Sequence, residues 1–145
     1  MSAYSLFQEL HSVFRYVVMV LFIYTILMAL IGWFGNRPYT NRNRLSNLFA
    51  LISAHTQLLI GIVLYFLSPL VQFNSATMKD STLRYFTVEH WVMMVIAIAL
   101  ITVGHSKSKK LVLPEAKHKT IALFYGIALL IIIGALAAGK IPILK

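Results

Sequence analysis

The chain has 145 residues, 59% of them hydrophobic and only 12% charged, where soluble proteins average about 25% charged. Its formal charge of +9 lies at the mouths of long apolar runs, where basic residues set membrane orientation, and so argues against a nucleic-acid partner. The absence of cysteine excludes disulfides, iron–sulfur ligation, thiolate catalysis and c-type haem attachment, leaving histidine as the strongest available metal ligand.

Crossing about 30 Å of hydrocarbon takes about 20 helical residues. The length therefore predicts one all-α transmembrane domain, an up-and-down four-helix bundle embedded in lipid, with no separate soluble domain. The first span is predicted at about 14–34, preceded by a short helical run from Tyr4 to His11. With Glu9 ahead of it and no small-residue cleavage site behind it, this run reads as a retained span and not a signal peptide. A basic, turn-rich loop holding Pro38 follows, since proline cannot continue a helix. The second span, about 48–67, stops at Ser68-Pro69 and gives way to a polar loop over 70–83. The third covers about 85–104, and a lysine-rich connection leads to Pro114, suited to the first turn of a helix. The fourth is predicted at about 121–138.

Basic residues fix the expected topology. The first and third loops carry Arg37, Arg42, Arg44, Lys107, Lys109, Lys110, Lys117 and Lys119, and the opposite side has Arg15, Lys79, Arg84, Lys140 and Lys145. The first and third loops are therefore expected inside and both termini outside, periplasmic in the bacterial inner membrane expected for this chain.

Each span has a histidine near the end at which it enters the membrane: His11, His55, His90 and His118. Ionisable groups at that depth are costly and tend to have a function. With short connections, spans one and three face each other across one diagonal and spans two and four across the other. His11 would then pair with His90 near one membrane face and His55 with His118 near the other. A b-type haem requires such facing imidazoles, small residues where the porphyrin approaches the backbone, and cations for its propionates. Gly61 and Gly126 supply candidate small positions, and Arg15 and Arg84 candidate propionate partners on the outer side. The span limits set His11 on the order of 12 Å further out than His90, with a similar mismatch between His55 and His118. His55 with His90, on adjacent helices, is an alternative pair.

Other residues divide between bland and functional readings. His105, beside a lysine run, reads as solvated, and Trp33, Tyr39, Tyr85 and Trp91 read as interfacial anchors. Glu89 either pairs with Arg15 across helices or accepts a proton at a quinol site lined by Gln57, Tyr65 and Tyr125.

Four segments, His11-Ser-x-x-Arg15-Tyr16, Ala54-His55-x-Gln57-Leu-Leu-x-Gly61, Phe86-x-Val-Glu89-His90-x-x-Met93 and Lys117-His118-Lys119, resemble small bacterial four-span proteins carried under a "cytochrome b" label. More remotely, the two-pair layout looks like that of cytochrome b561 proteins. The resemblance covers nearly the whole chain and implies His11, His55, His90 and His118 as axial-ligand candidates. The expected function is electron transfer through one or two b haems, with a quinone or a larger redox complex as partner, and no self-contained catalytic site. Two alternatives stay open: a haem-free accessory subunit of a larger membrane complex, and, less favoured for want of further intramembrane carboxylates, a small transporter.

Overall fold

The structure, a computed structural model, describes residues 2–140. Four long helices account for most of it: α1 (Ala3–Phe34), α2 (Asn41–Leu67), α3 (Ser81–Lys110) and α4 (Pro114–Ala138), each long and apolar enough to cross a membrane. Among the described residues there is no β-strand.

Local chemistry sets the helix ends. Ser2 caps α1, its hydroxyl accepting from the Ser5 N–H. After Phe34 the chain turns through Gly35 and Asn36, the latter in the left-handed region at φ 50°, a conformation that asparagine tolerates. Thr40 opens α2, its backbone N–H donating to Asn43 Oδ1 at 2.9 Å. Asp80 caps α3 by accepting from Thr82 N–H and Leu83 N–H. Pro114 occupies the first turn of α4.

The helices begin earlier than the apolar spans: α1 at Ala3, taking in the helical run expected from Tyr4 to His11, α2 at Asn41, α3 at Ser81, and α4 at Pro114, the residue expected in its first turn. Hydropathy marks where lipid contact starts, whereas a helix continues outward as long as its ends are capped. At ~1.5 Å per residue α1 is about 48 Å long, well beyond the hydrocarbon thickness. Lys145, counted in the topology argument, lies outside the described residues.

The connectivity is up-and-down. α1 packs on α2 and α4, α3 packs closely on α4, and α2 meets α3 more loosely. Spans one and three are therefore diagonal, as are two and four. The core contains Phe22, Ile101, Ile121 and Tyr125 together with alanines at 29, 50, 54, 97, 122 and 128. Small residues let helix backbones approach where no hydrophobic effect drives association in lipid. Large apolar side chains such as Val20, Leu59, Phe66 and Leu130 point outwards, as a lipid-facing surface requires. Two buried hydroxyls bridge to the α2 backbone: Thr25 donates to the Ser46 carbonyl at 3.0 Å and Tyr125 to the Asn47 carbonyl at 2.9 Å.

Gly104 is where α3 and α4 touch, because a Cβ there would run into the Phe124 side chain. Gly104→Ala is expected to destabilise the bundle by about 1–3 kcal/mol, read as a lowered thermal midpoint in detergent. Gly126→Ala, whose Cβ would meet nothing within 4 Å, should leave the midpoint unchanged.

Candidate functional site: a histidine pair across the bundle diagonal

His11 and His90 meet. Their ring centroids lie 6.3 Å apart with the planes at 75°. The depth mismatch expected from span limits disappears because both helices start further out: His11 falls eight residues after the start of α1 and His90 nine after the start of α3.

An irregularity in α3 sets the surroundings of His90. Residues Tyr85–Glu89 form a single π-helical turn, closed by the His90 N–H donating to the Tyr85 carbonyl. In a regular α-helix, side chains five residues apart point about 140° away from each other; the wider turn brings Tyr85 and His90 to one side. The Tyr85 hydroxyl lies 3.1 Å from His90 Nδ1 and 2.7 Å from the Ala135 carbonyl of α4. A phenol has one proton, and a carbonyl can only accept. The Tyr85 proton therefore goes to Ala135, and its oxygen accepts from His90 Nδ1–H. His90 Nε2 is left with its lone pair free, the tautomer that metal-ligating histidines adopt when a neighbour holds Nδ1. Turns of this kind recur at functional positions.

The π turn is held from outside. The Thr87 carbonyl accepts from the Tyr65 hydroxyl at 2.7 Å and from Trp91 Nε1 at 2.8 Å, and the Thr87 hydroxyl accepts from the Gln72 N–H at 3.0 Å. A Cβ on Gly139 would collide with the Tyr85 ring, so the last turn of α4 closes over it.

Around His11 the polar groups are not all satisfied. Gln57 Nε2 donates to the His11 carbonyl at 2.8 Å, yet Gln57 Oε1, His11 Nδ1 and Arg15 Nε are buried without partners. Gly61 stands beside the imidazole: a Cβ there would come 3.3 Å from His11 Cε1. Buried polar atoms are nearly always paired, so three unpartnered atoms around one histidine set this part of the bundle apart.

His55 and His118 do not pair. The Thr102 hydroxyl donates to the Ile98 carbonyl at 2.7 Å and so must accept from His55 Nε2, 3.0 Å away, at the exposed α2–α3 seam. His118 is buried with its ring packed against Gly32, and its Nε2 lies 3.2 Å and 3.3 Å from the Arg37 and Pro38 carbonyls of the first loop. The Tyr125–Asn47 bond sets the relative depth of α2 and α4. His118 precedes Tyr125 by seven residues and His55 follows Asn47 by eight, so the two rings are about 22 Å apart along parallel helices. Both Nε2 atoms act as N–H donors to protein oxygens. His55 with His90 is likewise not assembled, since His55 is committed to Thr102.

Several further expectations are revised by the geometry. Glu89 pairs with Arg84, not Arg15, at 2.8 Å, because five residues span one π turn. Arg84 also donates to the Met78 carbonyl at 3.1 Å, so its guanidinium is committed to its own neighbourhood. Gln57, Tyr65, Tyr125 and Glu89 do not form one pocket: Tyr125 is sealed in the core at the level of Asn47, ten residues or about 15 Å from Gln57. Gly126 faces open space away from the histidine pair. His105 is buried and not solvated, because α3 runs on to Lys110 and sets it on the inward stripe with Ala97, Ile101, Gly104 and Ser108.

Sequence reasoning read Tyr85 only as an interfacial anchor. Its five-residue spacing from His90 carries no signal under α-helical periodicity and acquires meaning only once the π turn is seen. Among the described residues no three His, Cys, Asp or Glu side chains converge; axial ligation of a haem asks for two imidazoles only. Compared with protein-family models, with curated proteins and with solved structures, the chain matches none.

Proposed function

We propose that this protein is a b-type cytochrome of a bacterial inner membrane, holding one haem between His11 and His90 and passing electrons between a quinol pool or redox partner and another membrane component. The observation that carries this reading is the meeting of His11 and His90 from diagonally opposite helices, with His90 Nε2 kept free by Tyr85. The two ring centres lie 6.3 Å apart, and two imidazoles are what a b-type haem would need from the protein.

The donor set fits the group. His11 and His90 would hold the iron, and Gly61 leaves room beside His11. Arg15, one turn along from His11 and with Nε unpartnered, would meet a propionate in place of Arg84. His11 Nδ1 as donor and Gln57 Oε1 as acceptor are complementary orphans; an amide already anchored on the His11 carbonyl is placed to hold His11 in the same tautomer as His90. A bound haem would supply one-electron redox chemistry.

A haem-free accessory subunit of a larger membrane complex is the second reading, favoured by His55 and His118, which make ordinary hydrogen bonds between elements. Absorbance of the detergent-purified protein separates the two. A Soret band with a dithionite-induced α-band, at a haem-to-protein ratio approaching one, is expected. Protein purified from haem-replete cells and lacking both bands, and failing to acquire them when titrated with hemin, would reject the cytochrome reading.

A further inference from the structure

At the opposite end of the bundle, Tyr39, Arg44, His105, Ser108, Lys109 and Lys117 line a cavity of about 150 Å³. That is many times the ~10–15 Å³ needed to hold one water, and is room for a tetrahedral oxyanion. Three of its six lining residues are cations, and none is acidic.

The lining is organised to donate. Arg44 is fixed by donating Nε and Nη2 to Asn41 Oδ1 at 3.0 Å and 2.8 Å, which leaves Nη1 for another acceptor. Lys117 reaches across from α4, donating to the Ser108 carbonyl at 2.7 Å and lying 5.3 Å over the Tyr39 ring. Tyr39 accepts from Asn47 Nδ2 at 2.5 Å and has the Ser108 hydroxyl as a second side-chain neighbour. Burial pushes the Tyr39 pKa up, against the opposing pull of hydrogen bonds and Arg44, so the phenol adds no negative charge to the cavity.

His105 supplies the independent sign of a ligand. It is only 4% exposed, and neither ring nitrogen has a partner. A buried imidazole with neither nitrogen paired is short of a polar partner, and the lysines and arginine beside it favour an anionic one. The carbonyl end of α3 adds partial negative charge here, which lysines 107, 109 and 110 in its last turn offset.

We propose that this cavity binds a phosphate group, that of an anionic phospholipid headgroup or of free inorganic phosphate, with His105, Arg44, Lys109 and Lys117 as its donors. Basic pockets between helices at the membrane edge recognise lipid phosphates in this way, and donors converging from three helices suit the several oxygens of a phosphate better than the two of a carboxylate.

The full chain, stripped of lipid in neutral detergent, is titrated with inorganic phosphate by calorimetry and, separately, loaded with phosphatidylglycerol or phosphatidylcholine and examined by native mass spectrometry. Binding of phosphate identifies the free ion, and retention of phosphatidylglycerol over phosphatidylcholine identifies the headgroup; either supports the site. The double variant Arg44→Gln/Lys109→Gln, both residues exposed at the rim, should bind at least roughly tenfold more weakly, as expected for loss of charge-assisted contacts. His105→Leu should bind more weakly than His105→Gln, which keeps an N–H donor. Absence of binding for every probe, or equal binding by wild type and the double variant, overturns the proposal.

Discussion

His90→Ala and His11→Ala are each expected to abolish the Soret and dithionite-induced α-bands of the purified protein, while His55→Ala and His118→Ala retain them per mole of folded protein. The asymmetry follows from hydrogen bonding. His55 and His118 spend Nε2 as a donor to Thr102 and to the first-loop carbonyls, whereas Tyr85 takes the Nδ1 proton of His90 and leaves its Nε2 unspent, in a ring whose centre is 6.3 Å from that of His11 on the diagonal helix. His118→Ala should instead act on the fold, because it removes a buried clamp between α4 and the first loop and leaves two carbonyls unpaired, a cost of about 1–3 kcal/mol. That cost appears in thermal unfolding and not in the spectrum. Loss of the bands in His55→Ala together with retention in His11→Ala would transfer ligation to the adjacent pair, His55 with His90, and refute the diagonal assignment.

Tyr85→Phe is expected to weaken haem binding by about 10- to 100-fold, the usual effect of removing the group that orients a metal-ligating histidine. Without the hydroxyl, His90 Nδ1–H has nothing to donate to, and the ring is free to turn or change tautomer. The same substitution also unpairs the Ala135 carbonyl, so a general loss of stability has to be separated from loss of ligand orientation. Tyr125→Phe provides that control: it removes an equivalent buried tyrosine-to-carbonyl bond, to Asn47, far from the histidine pair. Hemin titration of both variants should show weakened binding for Tyr85→Phe alone. Equal affinities for Tyr85→Phe and wild type would mean that the tyrosine does not set the state of His90.

The two ends of the bundle divide the polar groups of the chain between them. One end carries the imidazoles of the diagonal pair with Tyr85 and Gln57 around them, and Arg15 beside them with its Nε buried. The other gathers Arg44, Lys109 and Lys117 about His105, where excess positive charge without a carboxylate in the lining favours an anion. The two sites are independent, and the spectral and phosphate measurements can succeed or fail separately.

Apolar length, loop length and turn chemistry in the sequence determined the all-α architecture with four membrane-capable helices, because lipid demands internally bonded helices of a minimum length. They also determined which helices lie diagonally, since short loops force neighbours to be antiparallel. The sequence singled out His11 and His90, but it measured their depths from hydropathy and so set them apart; only the capped outward extensions of α1 and α3 bring them level. The tertiary structure alone separated them from His55 and His118, because a histidine's capacity to ligate depends on which ring nitrogen its neighbours use, and Thr102, the Arg37 and Pro38 carbonyls and Tyr85 become neighbours only on folding. It alone buried His105 and paired Glu89 with Arg84, since a π turn and five further residues of helix change which side chains share a face without leaving any mark in residue spacing.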